Sequence, residues 1–130
     1  MSFLESLAAI FGTDDNVESD FGWQSVSSEV SLSEIIMASN HKPQVIYKHS
    51  TRCATSFFAL KNVQSLSEEV KEKADFYMVD VISQRGLSAH IAEQVGVRHE
   101  SPQLIILKEE KVFWNGSHHS VNIESLETNI

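Results

Sequence analysis

Val45-Ile46-Tyr47-Lys48-His49-Ser50-Thr51-Arg52-Cys53-Ala54-Thr55-Ser56-Phe57 carries the reading of the whole chain. Gln44 to Tyr47 is β-branched and apolar, predicting a short strand buried on both faces. From about Cys53 the spacing turns helical, with Phe57, Phe58, Leu60 and Val63 on a first half and Leu66 and Val70 on a second. A long helix is therefore expected from about Cys53 to Lys73, with a break left open near Gln64-Ser65. A thiol at such a strand-to-helix turn meets the positive end of the helix dipole and unpaired first-turn amides, and both favour thiolate over thiol. Lys48, His49 and Arg52 lie close by and add potential positive charge. A structural cysteine sits more often inside an apolar run, so Cys53, the chain's single cysteine, is where chemistry is expected first.

Working outward, Phe3, Leu4, Leu7 and Phe11 follow helical spacing up to Gly12, and residues 12–22 read as an acidic loop. Ser31 to Ser39 is predicted as a short helix with Ser31 as N-cap and Glu34 three positions on. Asn40-His41-Lys42-Pro43 breaks it. A strand is expected over Ala74–Val81, a helix from Leu87 to Val95 stopped by Gly96, and strands over Pro102–Leu107 and Lys111–Trp114. The last two pair as a hairpin through Lys108-Glu109-Glu110, and a terminal helix begins over Ile123–Leu126. The core order is thus β-α-β-α-β-β-α, an α/β mixed four-stranded sheet flanked by helices, with the first two strands parallel through a right-handed crossover. Residues 1–30 form an acidic N-terminal extension and residues 31–130 the domain.

That order, with a cysteine after the first strand, resembles the thioredoxin fold. The resemblance implies a cis proline entering the third core strand beside the thiol, with the preceding backbone exposed for pairing. Ser101-Pro102 occupies that place. The alternative is a strand-initiating proline of no special role.

Three segments narrow the resemblance: Lys48 to Cys53, Gly96-Val97-Arg98-His99-Glu100-Ser101-Pro102-Gln103, and Ser117-His118. They resemble the YtxJ family, thioredoxin-like monothiol bacilliredoxin-type proteins of the bacillithiol system, over about residues 30–126. The family usually has proline directly after its cysteine. This chain has Ala54, which loosens the first helical turn and leaves the thiol in place. The resemblance implies that Cys53 is the nucleophile and that bacillithiol, or a similar small thiol, is the co-substrate, with no bound cofactor.

Ser56 stands where a Cys-X-X-Cys motif has its second thiol. A serine cannot resolve a mixed disulfide, so a two-cysteine cycle within one chain is excluded. Ser56 either donates a hydrogen bond to the thiolate or is an ordinary first-turn serine. Arg52 is the better candidate for attracting an anionic thiol, while Lys48 reads as a solvated side chain. His49 is either a core-edge histidine or a general acid for the leaving thiol. His118 is a candidate co-substrate contact, because the loop carrying it lies near the proline loop in this topology. His118-His119 suggests a metal pair, but adjacent residues rarely face one ion and no partner spacing occurs, so no metal site is expected. Trp23 and Trp114 read as packing residues.

Composition excludes several classes. The formal net charge is −8, and residues 1–41 hold seven acids and no lysine or arginine. Phosphate recognition needs clustered cations, which are lacking, so nucleic acid is not an expected partner. No signal or membrane span is read, and a cytoplasmic location is the default expectation. The functional expectation is a monothiol disulfide oxidoreductase acting on protein mixed disulfides. The alternative is a binding module of the same fold whose cysteine is modified under stress without turnover. An iron–sulfur glutaredoxin fits poorly, since its Cys-Gly-Phe-Ser pattern is replaced by Cys53-Ala54-Thr55-Ser56.

Overall fold

A strand in which every residue is buried organises the molecule: β2, Gln44–His49. In the computed structural model, which describes residues 21–130, it lies at the centre of a five-stranded sheet of order β1-β3-β2-β4-β5. The expected helix over Phe3–Phe11 and most of the acidic loop fall outside the described residues. Strand β3, Asp75–Asp80, runs parallel to β2 with Ile46 opposite Tyr77. Strand β4, Gln103–Lys108, runs antiparallel on the other side with Ile46 opposite Ile105, and β5, Lys111–Ser117, closes that edge.

The sheet therefore has five strands where the sequence predicts four. The extra one, β1, is Gln24–Ser25, paired parallel with β3. Two exposed residues carry no alternation of apolar and polar side chains, so nothing in the sequence marks them as a strand. Phe21 and Val26 are buried, and Trp23 packs its ring 5.6 Å from that of Tyr47. Phe21, Trp23 and Val26, which lie within the expected extension, thus pack against the sheet.

Helix α1, Glu29–Ala38, starts one turn before its expected position, because the Ser28 hydroxyl accepts the Ser31 amide and takes the cap role assigned to Ser31. The expected long helix after Cys53 is two: α2, Ala54–Val63, and the short α3, Glu68–Lys71, capped by Ser67 accepting from the Val70 amide. The break left open at Gln64-Ser65 is real. Helix α4, Arg85–Val95, ends at Gly96 in the left-handed region at φ 73°. Helix α5, Ile123–Asn129, is capped by the Asn122 side chain. The β4–β5 turn places Glu109 and Glu110 at φ 54° and 64°, and Ser39 accepts both of their amides, tying the hairpin to the end of α1.

Period-two alternation along β2 divides the core. Val45 and Tyr47 face α2 and α5, meeting Leu60, Val63 and Leu126. Ile46 faces α1 and α4, meeting Leu32, Ile35 and Ile91. Each such fully buried aliphatic side chain contributes about 1.5–3 kcal/mol relative to exposure. Both layers leave the C-terminal ends of β2 and β3 at one edge of the sheet, where open α/β sheets bind ligands.

Candidate functional site

Cys53 leaves that edge. It is the half-buried N-cap of α2, with extended backbone at φ −122° and ψ 120°. The turn before it is drawn tight by Ser50, whose carbonyl accepts the Cys53 amide at 3.3 Å and whose hydroxyl accepts the Arg52 amide at 3.3 Å. Below, the Tyr47 hydroxyl donates to the Ser56 carbonyl at 2.8 Å and joins strand to helix. The thiol pKa is lowered, first by the backbone amide of Ser56, then by that of Thr55 and by the hydroxyls of Thr55 and Ser56, against the opposing effect of burial. The cause is the helix start.

Ser56 is fully buried, and its hydroxyl accepts the Ser50 amide at 3.3 Å. It therefore braces the turn as well as facing the sulfur. Arg52 is exposed beside the thiol. His49 is 6% exposed, with Nδ1 3.1 Å from the Tyr47 hydroxyl, which matches the core-edge reading more than that of a proton donor reaching solvent.

Lys48 corrects the sequence reading. The structure buries it completely, on the α1–α4 side of the sheet, with Nζ donating to the Ser88 carbonyl at 2.9 Å and lying 3.3 Å from His99 Nδ1. Burial pushes its pKa down to about 8. The alternation that puts Tyr47 under α2 sends Lys48 to the opposite face.

Extending the β2–β4 register one pair beyond Lys48 and Gln103 brings Pro102 alongside the end of β2. The Ser101–Pro102 peptide bond is cis. The Pro102 carbonyl accepts the amide of His118 at 3.0 Å, so the proline loop and the Ser117-His118 segment are in direct contact. His118 opens a short 3-10 turn, His118–Ser120, that packs against α2. Its Nδ1 lies 3.5 Å from the Glu100 carboxylate, which also accepts from the Ser117 hydroxyl at 3.3 Å. Glu100, Ser50 and Tyr47 are framework residues that sequence reasoning did not single out. Gln103 completes the loop by donating to the Arg98 carbonyl at 2.9 Å.

With this arrangement in view, the model of the monothiol bacilliredoxin family BrxC matches residues 24–126. The chain belongs to that family. The match takes in every strand, the Cys53 turn and the Pro102 loop. Among solved structures, a protein with a thioredoxin fold is similar at 29% identity, covering 81% of this chain and 90% of that one with a TM-score of 0.69. Malassezia sympodialis thioredoxin, at 22% identity, covers 82% of this chain and 86% of its own with a TM-score of 0.64. Fasciola hepatica thioredoxin, at 17%, covers 82% and 99% with a TM-score of 0.64. The last two show the fold alone, and the bacilliredoxin chain has it.

A thiol-disulfide redox role accords with family and fold. No group of three or more histidine, cysteine or acidic side chains gathers around a metal position among the described residues. No helix among them is long and apolar enough to cross a membrane.

Proposed function

We propose that this bacilliredoxin removes a small thiol, bacillithiol or one of similar chemistry, from mixed disulfides on proteins through Cys53. The single observation that carries the reading is an accessible thiol at a helix start, its pKa lowered by the Ser56 amide, with no second thiol in the chain. The Cys53 thiolate attacks the small-thiol sulfur of protein–S–S–R, the protein leaves as thiolate, and Cys53 carries R through a new disulfide. A second R thiolate then attacks Cys53–S–S–R, releasing R–S–S–R and restoring the Cys53 thiolate. The small thiol thus serves as co-substrate and no bound cofactor is called on. Arg52 attracts its anionic groups, the Ser101–Pro102 backbone pairs with the bound disulfide, and His118 contacts the co-substrate. Exposed Phe57 and Phe58, one helical turn past the thiol, offer apolar surface to the client protein. These steps suit a reducing, cytoplasmic compartment.

The test is a client protein carrying bacillithiol or glutathione in mixed disulfide, incubated with catalytic amounts of the enzyme and an excess of the same small thiol. Release of many client thiols per enzyme, abolished in Cys53→Ser, is the expected result. A single adduct on Cys53 with no turnover would replace the enzyme by the binding module.

A further inference from the structure

Behind the Cys53 turn, on the sheet face opposite α2, a cleft of about 460 Å³ opens at the C-terminal ends of β2 and β3. That volume lies within the ordinary range for small-molecule sites. Its polar lining comes from Ser50, Arg85, Ser88, His99 and Ser101, and its floor from Val81 and Ile82. Two of these residues connect it to the thiol. Ser50 holds the Cys53 amide through its carbonyl, and Ser101 precedes Pro102. The cleft and Cys53 therefore share one edge of the sheet.

Its lining side chains differ in charge from the protein as a whole, while Glu100 beside His99 and Asp80, bonded to the Ile82 and Ser83 amides, border it. The chain carries 18 acidic residues and a net charge of −8, yet no acidic side chain lines this cleft. Arg85 is exposed in the first turn of α4, where the helix's unpaired amides add positive potential. Lys48 stands directly behind the wall: both of its partners, Ser88 and His99, line the cleft, and among the described residues no carboxylate lies within ion-pairing distance of its Nζ. His99 Nδ1 faces the Lys48 ammonium, a donor only, at 3.3 Å and the Ser88 hydroxyl, which can turn to donate, at 3.1 Å. It must accept, so the ring proton sits on Nε2 and the neutral imidazole is a donor on its outer side. An arginine fork, an imidazole N–H and serine hydroxyls over an apolar floor make a receptor for a carboxylate on a short polar body.

We propose that, once Arg52 has drawn the small thiol in and His118 meets it at its sulfur end, this cleft holds the anionic, carboxylate-bearing body of the molecule whose sulfur pairs with Cys53, with Arg85 and His99 as its carboxylate donors. The assignment rests on Cys53 being the site of exchange. Lys48 acts as a positioning residue: it fixes the His99 tautomer and leaves a buried positive charge without a counter-ion among the described residues. The ligand class is a low-molecular-weight thiol bearing at least one carboxylate. A neutral or cationic thiol would react at Cys53 without using the cleft.

The experiment measures adduct formation on Cys53 by intact-protein mass spectrometry, without any client. Cys53–S⁻ attacks R–S–S–R to give Cys53–S–S–R and R–S⁻. The probes are oxidised bacillithiol, which carries carboxylates, and 2-hydroxyethyl disulfide, which is neutral. The ratio of the two rates is compared among wild type, Arg85→Gln, His99→Phe and Arg98→Gln, so intrinsic differences between the disulfides cancel. Loss of one charged hydrogen bond lowers the ratio by about tenfold, and that is expected in Arg85→Gln and His99→Phe. Arg98→Gln removes an equal charge from outside the cleft and should keep the wild-type ratio. Adducts that form with the wild-type ratio in Arg85→Gln overturn the cleft and leave exchange at Cys53 standing. An equal fall in Arg98→Gln also overturns it, since general surface charge then suffices. Absence of any adduct with either disulfide removes the function and the cleft together.

Discussion

Lys48 Nζ lies 3.3 Å from Nδ1 of His99, and the lysine side chain bringing it there is wholly buried. A buried ammonium opposes folding while it stays charged. The folded-state pKa of about 8 lies below the ordinary 10.5, so between these values the unfolded chain holds more protons than the folded one. Raising the pH through that window therefore stabilises the native state, and the penalty is complete below about pH 8. Relative to Lys48→Met, wild-type unfolding free energy should climb from pH 8 to pH 10.5, read from denaturant midpoints. A constant difference between the two proteins across that range would refute the buried-charge account.

The helix start gives a second expectation. Cys53 already has the extended backbone that a following proline demands, and Ala54 is the first residue of α2, where an amide has no intrahelical partner. Ala54→Pro should stabilise by about 0.4–1 kcal/mol through the unfolded chain. The amides of Ser56 and Thr55 that lower the thiol pKa are untouched, so the pH midpoint of iodoacetamide alkylation should stay where it is. A large shift of that midpoint would mean that residue 54 sets the thiolate.

Ser56 serves two neighbours. Ser56→Ala removes a hydroxyl that lowers the Cys53 pKa, so the alkylation midpoint should rise. It should remain below that of an ordinary cysteine, because the amides persist. The same change strips the Ser50 amide of its acceptor, at a cost of about 1 kcal/mol in chemical denaturation. Loss of stability with an unmoved midpoint would leave Ser56 only its structural bond.

How far the sequence carried depended on the range of each signal. The Val45–Tyr47 run, the Gly96 stop and the Lys108-Glu109-Glu110 turn are local patterns, and the elements that they predict are present. Cys53 at a helix start was legible for the same reason. Strand β1 was not, since two exposed residues owe their pairing to β3 alone. Lys48 misled because its sequence neighbours are polar, while its surroundings are set by strand alternation and by Ser88, forty residues away. The link between Pro102 and His118 is a backbone bond between distant loops, which only the fold resemblance anticipated. The cleft escaped the sequence altogether, for its lining comes from three separated segments.

Gly116 is held by space instead of by dihedral angle. A Cβ there would lie 2.5 Å from the Trp114 ring and 2.8 Å from the Ser120 Cβ. The ring belongs to a half-buried side chain that can swing aside, whereas Ser120 sits in the His118–Ser120 turn and moves only with its backbone. Gly116→Ala should therefore cost about 1–3 kcal/mol, a loss of several degrees in Tm, and displace the turn that packs on α2. Pairing it with Trp114→Leu separates the two contacts. If the ring alone resists, the second change should rescue most of the loss. If the turn resists, stability should stay low and the His118 amide, bonded to Pro102 in the native protein, should exchange faster with deuterium. The second outcome is expected, because the ring can yield and the turn cannot. Full rescue by Trp114→Leu would show the turn to be unconstrained by Gly116.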